Sequence, residues 1–168
     1  KRDDVHLITD PIGCITESGV TTQSDDYDVD VLIYATGFHS TRMLWPMTFK
    51  GIGGLDLQEH WQGDPHAFKG ISIPQFPNFF CLYGPNTNVV VNGSIIFFSE
   101  CEMRYILGCI KLLIENDYAA LDCKQDVHDR YNEMIDAGNL EMAWGAPNVK
   151  SWYKNEAGRV TQNWPFSM

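Results

Sequence analysis

The pattern of apolar and polar positions is clearest over residues 76–99, which read FPNFFCLYGPNTNVVVNGSIIFFS. A run of apolar residues at 79–83 predicts a short buried strand. The segment 84–93 is rich in glycine and asparagine and predicts a polar turn. A long helix is predicted from Ser94 onward, and it carries no acidic residue before Glu100. The partial positive charge at the N-terminus of this helix is therefore not neutralised by its own first turn. In α/β proteins, a strand followed by a polar loop and such a helix end is a typical ligand site.

The remaining periodic segments predict further elements on both sides of this stretch. Residues 29–35, VDVLIYA, form a second near-continuous apolar run. Such a run predicts a fully buried strand, and parallel pairing fits it best. The long helix is expected to end near residue 116. The other predicted elements are short strands at 5–8, 12–16, 20–22 and 119–123, a helical turn within 55–61 and an amphipathic helix over 124–137.

Composition narrows the class of protein. The chain has 168 residues, of which 44% are hydrophobic and 20% charged, so it is long and apolar enough for a globular core. Its net charge of −10 and its lack of a basic cluster argue against nucleic acid and membrane surfaces as partners. The apolar runs are too short to span a membrane. Five cysteines without a CxxC pair favour reduced thiols and a cytoplasmic protein.

The sequence contains no complete catalytic set. Neither GxSxG nor GxGxxG occurs, and the five histidines do not form a ligand pair at helical spacing, so we predict no metal site. Cys81 is disfavoured as a nucleophile, since its apolar neighbours should raise the pKa of its thiol. If the protein takes part in catalysis, we expect a cofactor to supply the chemistry.

Three segments, in order, resemble one family. Residues 28–38, DVDVLIYATGF, resemble the ATG(F/Y) strand and turn of flavoprotein monooxygenases with two dinucleotide-binding domains. Residues 76–85 and the following helix resemble a later segment of the FAD domain. Residues 151–159, SWYKNEAGR, resemble the SW…N…G(K/R) segment of Baeyer–Villiger monooxygenases. Together with GPNTN at 84–88, these segments look most like the 4-hydroxyacetophenone monooxygenase type, and the resemblance spans about residues 5–164.

The resemblance implies a fold and a place within a longer protein. The expected fold is α/β: the C-terminal portion of a Rossmann-like FAD domain, with a short β meander, buried parallel-type strands and two main helices. The family's nucleotide-binding glycine motifs and its active-site arginine are not in this sequence, so no catalytic residue is assigned. The expected parts are strands ending in ATGF over 1–38, a covering loop over 39–75, strand, loop and helix over 76–116, and strand, helix and tail over 117–168.

The resemblance also implies an activity. NADPH would reduce FAD, O2 would add to give a flavin C4a-peroxide, and this would insert oxygen into a ketone to yield an ester or lactone. Two alternatives stay open: a monooxygenase that oxygenates nitrogen or sulfur, and a non-enzymatic interaction module that retains the fold. We expect this chain alone to be inactive and to retain neither FAD nor NADPH. It should also expose apolar surface at 29–35 and 79–83 unless it forms a homodimer.

Several residues become candidates for contact with the cofactors. Those at 86–88 could line the flavin or the substrate pocket, with a self-satisfied turn as the alternative. Those at 36–37 could meet cofactor or form a tight turn. Trp152 matches a family residue that contacts NADP, with a core anchor as the alternative, and Arg159 could meet a phosphate. The full candidate set is Thr36, Gly37, Phe38, Pro85, Asn86, Thr87, Asn88, Gly93, Ser94, Ile95, Trp152 and Arg159.

Overall fold

The computed structural model describes residues 2–91 and 93–167, which divide into two compact units, one up to Phe38 and one from His39 onward. The first unit holds a three-stranded antiparallel sheet in the order β1-β2-β3. The predicted meander is therefore confirmed, although its third strand falls in a segment expected to be a polar connection. The strands are β1 (Ile12–Ile15), β2 (Gly19–Thr22) and β3 (Asp26–Asp28).

Threonine side chains fix the two turns of this sheet. The Thr16 hydroxyl accepts a hydrogen bond from the Gly19 amide at 3.0 Å, and the Thr16 amide donates to the Gly19 carbonyl at 2.9 Å. The buried Thr22 hydroxyl donates to the Asp25 carbonyl and accepts from the Asp25 amide. Local side-chain bonds of this kind stabilise tight turns without help from distant residues.

The apolar run at 29–35 is not a strand, and the prediction of a buried strand there is wrong. Ile33 is 81% exposed, and Val31 and Tyr34 are also exposed. After the bond from the Val29 amide to Ser18, no backbone hydrogen bond is found for 30–38 among the described residues. A β-strand exists only where a neighbour supplies ladder partners, and no described segment supplies them here. The strand predicted at 5–8 is absent for the same reason.

The described residues of the second unit form three α-helices, two of them long, as predicted. The first begins after Asp56, whose carboxylate accepts hydrogen bonds from the amides of Gln58 and Glu59. The second begins after Ser94, whose hydroxyl accepts from the Phe97 amide. The helices are α1 (Leu57–Trp61), α2 (Ile95–Glu115) and α3 (Gln125–Leu140), and a one-turn 3-10 helix spans Ile52–Gly54.

The core of the second unit lies mainly within residues expected to form a covering loop. Its buried cluster comprises Leu57, Trp61, Ala67, Ile73, Phe76 and Cys81. The predicted strand at 79–83 is wrong, because these residues form no ladder. The Cys81 amide donates to the Ile71 carbonyl at 2.7 Å, and the Tyr83 amide donates to a side chain, that of Glu102. The strand predicted at 119–123 is also absent. The chain is thus α/β, with a small sheet and the helices in separate units.

None of the helices in the described part of the chain is long and apolar enough to cross a membrane. The longest, α2, is exposed along much of its length and carries acidic and basic residues.

Candidate functional site

The GPNTN loop at 84–88 is joined to the tail of the chain by backbone hydrogen bonds. The Asn86 amide donates to the Thr161 carbonyl at 3.0 Å, and the Asn88 amide donates to the Gln162 carbonyl at 2.8 Å. The Trp164 amide returns a bond to the Asn88 carbonyl at 2.9 Å. These bonds form a parallel bridge between Asn88 and Asn163, so two segments far apart in sequence hold each other in place.

Two of the predicted flavin contacts in this loop point into the protein. Asn86 is 1% exposed, and its side-chain amide donates to the carbonyls of Val160 and Asn163, at 2.8 and 3.3 Å. Thr87 is fully buried, and its hydroxyl donates to the Gly84 carbonyl at 2.8 Å. The Thr87 bond lies within the turn, as in the alternative given above, whereas the Asn86 side chain is satisfied by the distant tail of the chain. The expectation that these two side chains line a flavin does not match their orientation.

The half-buried Asn88 and the buried Pro85 lie beside a cavity instead. The Asn88 side chain accepts a hydrogen bond from the Tyr83 hydroxyl at 2.7 Å and donates to the Asn163 side chain at 2.8 Å. Both Pro85 and Asn88 line a cavity of about 380 Å³, together with Ser40 and Tyr83. Of the predicted loop residues, these two are therefore the ones placed beside a space that a small molecule can enter.

Close backbone approach fixes the start of the loop. A Cβ atom on Gly84 would lie 2.1 Å from the carbonyl oxygen of Gly70, and a Cβ on Gly70 would lie 2.1 Å from the Thr87 side chain. Glycine is required at both positions because real Cβ atoms do not approach other heavy atoms so closely. The loop therefore has no freedom to move toward Gly70.

The amide end of α2 follows the loop and is open. Gly93, Ser94 and Ile95 are all exposed, and Ile96 is 74% exposed. The first turn of α2 has no acidic residue. The partial positive charge of the helix end is therefore not neutralised by the helix itself, as the sequence predicts.

A buried glutamate on α2, which sequence reasoning missed, ties the helix to the loop. Glu102 is almost fully buried, and its Oε2 atom accepts a hydrogen bond from the Tyr83 amide at 2.9 Å. Burial raises the pKa of Glu102 above its usual value. An acidic residue on the otherwise apolar face that carries Phe98 and Ile106 was the signal available in the sequence.

The Arg159 side chain binds other protein groups and does not face open space. Its side chain is 13% exposed. The guanidinium donates to Asp136 at 2.8 Å, to Asp64 at 3.2 Å and to the Pro65 carbonyl at 3.1 Å. It also donates to the Asn86 side-chain oxygen at 3.0 Å. A phosphate would have to displace these carboxylates, so the expected phosphate contact does not fit this geometry.

Trp152 and the residues around Gly37 are solvent-facing. Trp152 is 59% exposed, which disfavours a core anchor, and its carbonyl accepts from the Ser40 hydroxyl at 3.2 Å. Thr36, Gly37 and Phe38 belong to the first unit and are all exposed. Gly37 has φ +76°, a left-handed conformation that suits a tight turn.

The Cys81 thiol is buried and weakly acidic. Burial raises the pKa of the Cys81 thiol to about 12, with the nearby Glu102 carboxyl adding to the effect. The prediction that Cys81 is unsuited to nucleophilic attack is therefore confirmed. Within residues 2–91 and 93–167, no cluster of three histidine, cysteine or acidic residues could hold a metal ion.

Comparison with known proteins identifies relatives over nearly the whole chain. No family model matches it. The FAD-binding monooxygenase ktnD of Aspergillus niger is 36% identical, over 98% of this chain and 28% of that protein. A Baeyer–Villiger monooxygenase of Pseudomonas aeruginosa is 32% identical, over 95% of this chain and 30% of its own length. The solved structure of OTEMO in complex with FAD and NADP superposes with a TM-score of 0.81 at 26% identity, covering 99% of this chain and 32% of that one.

These relatives define a class of flavoprotein monooxygenases, and the chain spans about a third or less of their length. Within that class, the homologues of this chain are FAD-binding and Baeyer–Villiger monooxygenases, and the chain matches one part of each of them. The family resemblance drawn from the sequence motifs is confirmed.

Proposed function

We propose that the chain is the C-terminal part of an FAD- and NADPH-dependent monooxygenase. The whole enzyme would insert one oxygen atom of O2 into a ketone and release an ester or lactone. The observation that carries this proposal is the match over nearly the entire chain to a protein named a Baeyer–Villiger monooxygenase. The OTEMO structure, a complex with FAD and NADP, supports the two cofactors.

The amide end of α2 suits one edge of a reduced flavin. That edge carries negative charge, and the first turn of α2, where Ile95 and Ile96 are exposed residues, offers amide groups and the positive end of a helix dipole. Because α2 has no acid in its first turn, nothing on the helix opposes this charge. We therefore assign Gly93, Ser94 and Ile95 to contact with the flavin ring.

Once bound and reduced, the flavin would react with O2. The residues of this chain would bind and orient the flavin, the substrate and the nicotinamide cofactor. Pro85 and Asn88 would border the ring or the substrate at the cavity beside the loop. The indole of Trp152, exposed and packed edge-on against Tyr153 at 5.4 Å, offers a face for the nicotinamide cofactor. A cofactor would contact Thr36, Gly37 and Phe38 at the carboxyl end of the segment 29–38.

The activity is tested on the complete native protein that carries this sequence. Purified protein is supplied with NADPH and a cyclic ketone, an aryl ketone or a thioether, and the products are separated by gas chromatography. We expect ketone-dependent NADPH consumption with an equal amount of ester or lactone. Sulfoxide as the only product would favour the heteroatom-oxygenating alternative, and NADPH consumption that no substrate increases would overturn the proposal.

The 168-residue chain by itself is expected to be inactive and colourless. It contains the α2 end and the loop but no glycine-rich phosphate-binding motif, so it should hold neither FAD nor NADPH tightly. Absorbance between 350 and 500 nm, about the range of oxidised flavin, is measured after incubation with FAD and gel filtration. A full complement of retained FAD would contradict this part of the proposal. Sedimentation in the same buffer tests whether the exposed apolar residues drive formation of a homodimer.

A further inference from the structure

Arg159 sits where four parts of the second unit meet. Its guanidinium contacts α3 through Asp136, the segment after α1 through Asp64 and Pro65, and the loop through Asn86. Its backbone amide is held in turn by the Asn155 side chain at 2.9 Å, which also donates to Asp64 at 2.8 Å. A planar guanidinium can satisfy several acceptors at fixed angles, whereas a lysine ammonium acts as a point charge.

The acceptor in the loop is in a conformation that needs support. Asn86 has φ +58°, which few residues other than glycine adopt, and its side chain is buried. Its amide nitrogen is satisfied by Val160 and Asn163, and its oxygen by Arg159. Removal of Arg159 would leave a buried oxygen without its partner and two carboxylates without their shared cation.

We propose that Arg159 is a positioning residue that holds the 84–88 loop in the conformation seen in the structure. This role replaces the phosphate contact that the sequence suggested for Arg159. Its effect on flavin rests on the proposed function above, because the loop leads directly into the amide end of α2. The effect on the loop itself does not depend on flavin. The carboxylates of Asp64 and Asp136 hold the guanidinium, and the guanidinium holds Asn86.

The test compares Arg159→Gln, Arg159→Lys, Asn86→Ala and the double variant Arg159→Gln/Asn86→Ala in the complete native protein. Arg130→Gln is the matched control, since Arg130 also pairs with an aspartate, Asp126 at 3.1 Å, but on the exposed face of α3. The first readout is hydrogen exchange at the amides of Asn86, Asn88 and Trp164, without flavin. The second is the dissociation constant of FAD.

We expect Arg159→Gln to speed exchange at these three amides by about 10- to 100-fold, as for loss of a hydrogen bond to a charged group. FAD affinity should fall over a similar range. Arg159→Lys should not restore either value. The double variant should lose less than the sum of the two single variants, because both single changes break the contact between Arg159 and Asn86. Arg130→Gln should change neither readout. If Arg159→Gln does not fold, Arg159→Lys and Asn86→Ala carry the same comparison.

Three results would overturn the proposal. Unchanged amide exchange in Arg159→Gln would show that the loop is fixed without the guanidinium. Rescue of FAD affinity by Arg159→Lys, or additive losses in the double variant, would mean that Arg159 acts as a charge on the cofactor. If the wild-type protein binds no flavin but the exchange data behave as expected, the proposed function fails while the positioning role stands.

Discussion

Two segments of the chain present the same sequence pattern and reach opposite outcomes. Residues 29–38 and 79–88 each join an apolar run to a glycine-containing polar turn, and each pattern predicts a buried strand that delivers a loop. In the structure the first segment is exposed and lacks hydrogen-bond partners beyond Val29. The second is not a strand either, but its loop is anchored by the tail, by Gly70 and by Arg159.

The difference shows what makes a loop a preformed site. The 84–88 loop has partners within its own unit, so its conformation is set before any ligand arrives. Residues 29–38 have no such partners among the described residues, so their apolar character alone does not order them. In the proposed complete enzyme, a segment outside this chain would supply the missing strand partners.

The largest expected effect concerns the close approach at the start of the loop. Gly84→Ala places a Cβ atom 2.1 Å from a backbone oxygen, which no side-chain rotation relieves. We expect a loss of about 3 kcal/mol or more in the free energy of unfolding, as for severe overpacking. Denaturant unfolding measures this loss.

Gly108→Ala is the matched control. Gly108 lies within α2 with open space around it, so the substitution should stabilise the protein by about 0.5–1 kcal/mol. Equal effects would show that the contact with Gly70 is not rigid.

A buried asparagine on α3 provides the next largest effect. Asn139 donates to the carbonyls of Ile135 and Asn163 and accepts from the Trp144 indole at 2.8 Å. Asn139→Ala should cost about 1–3 kcal/mol in unfolding free energy, because it leaves buried polar groups unsatisfied. Asn116→Ala is the control, since Asn116 makes the same side-chain bond to the residue four before it, Leu112, on an exposed surface. That control should change stability by no more than about 0.5 kcal/mol.

A smaller effect is expected from pH through His66. Burial, and then the positive charge of Arg159, lower the pKa of His66 below its usual value of 6.5. The unfolded chain therefore binds a proton more readily than the folded one, and stability falls with decreasing pH. The contribution of neutral His66 to the free energy of unfolding is complete above about pH 6.5. It is lost as the pH drops through the lowered pKa of His66 in the folded protein. Chemical denaturation of wild type and His66→Gln between about pH 7.5 and 5 should give a flatter profile for the variant. Parallel profiles would contradict this assignment.

The smallest effect is expected where sequence predicted a buried strand. Ile33→Ser should change the unfolding free energy of the 168-residue chain by no more than about 0.5 kcal/mol, since Ile33 is already exposed. Ile73→Ser is the control at a fully buried position and should cost about 3 kcal/mol or more. A large loss at Ile33 would mean that the segment is packed, and the contrast between the two segments would not hold.

These contrasts explain what could be predicted from the sequence. The two long helices can be predicted because their signal is local: apolar residues recur at helical spacing along α2 and α3. The β meander can be predicted in part because two short apolar strands flank a turn at 17–19 that contains glycine.

The rest depends on contacts between residues far apart in sequence. The partners of the Asn86 side chain lie 74 and 77 residues away, so nothing near GPNTN indicates that Asn86 turns inward. Arg159 reaches Asp64 across 95 positions, and its role is likewise invisible in SWYKNEAGR. A strand at 29–35 also needs distant partners, and apolar sequence alone does not supply them.

In the proposed enzyme, the flavin meets the amide end of α2 beside a loop that is already formed. Hydrogen exchange on the complete native protein, with and without FAD, tests it most directly. We expect FAD to slow exchange at the amides of Ile95 and Ile96, while those of Asn86 and Asn88 are protected to the same extent in both states. FAD binding that protects other regions and leaves Ile95 and Ile96 unchanged would contradict the claim.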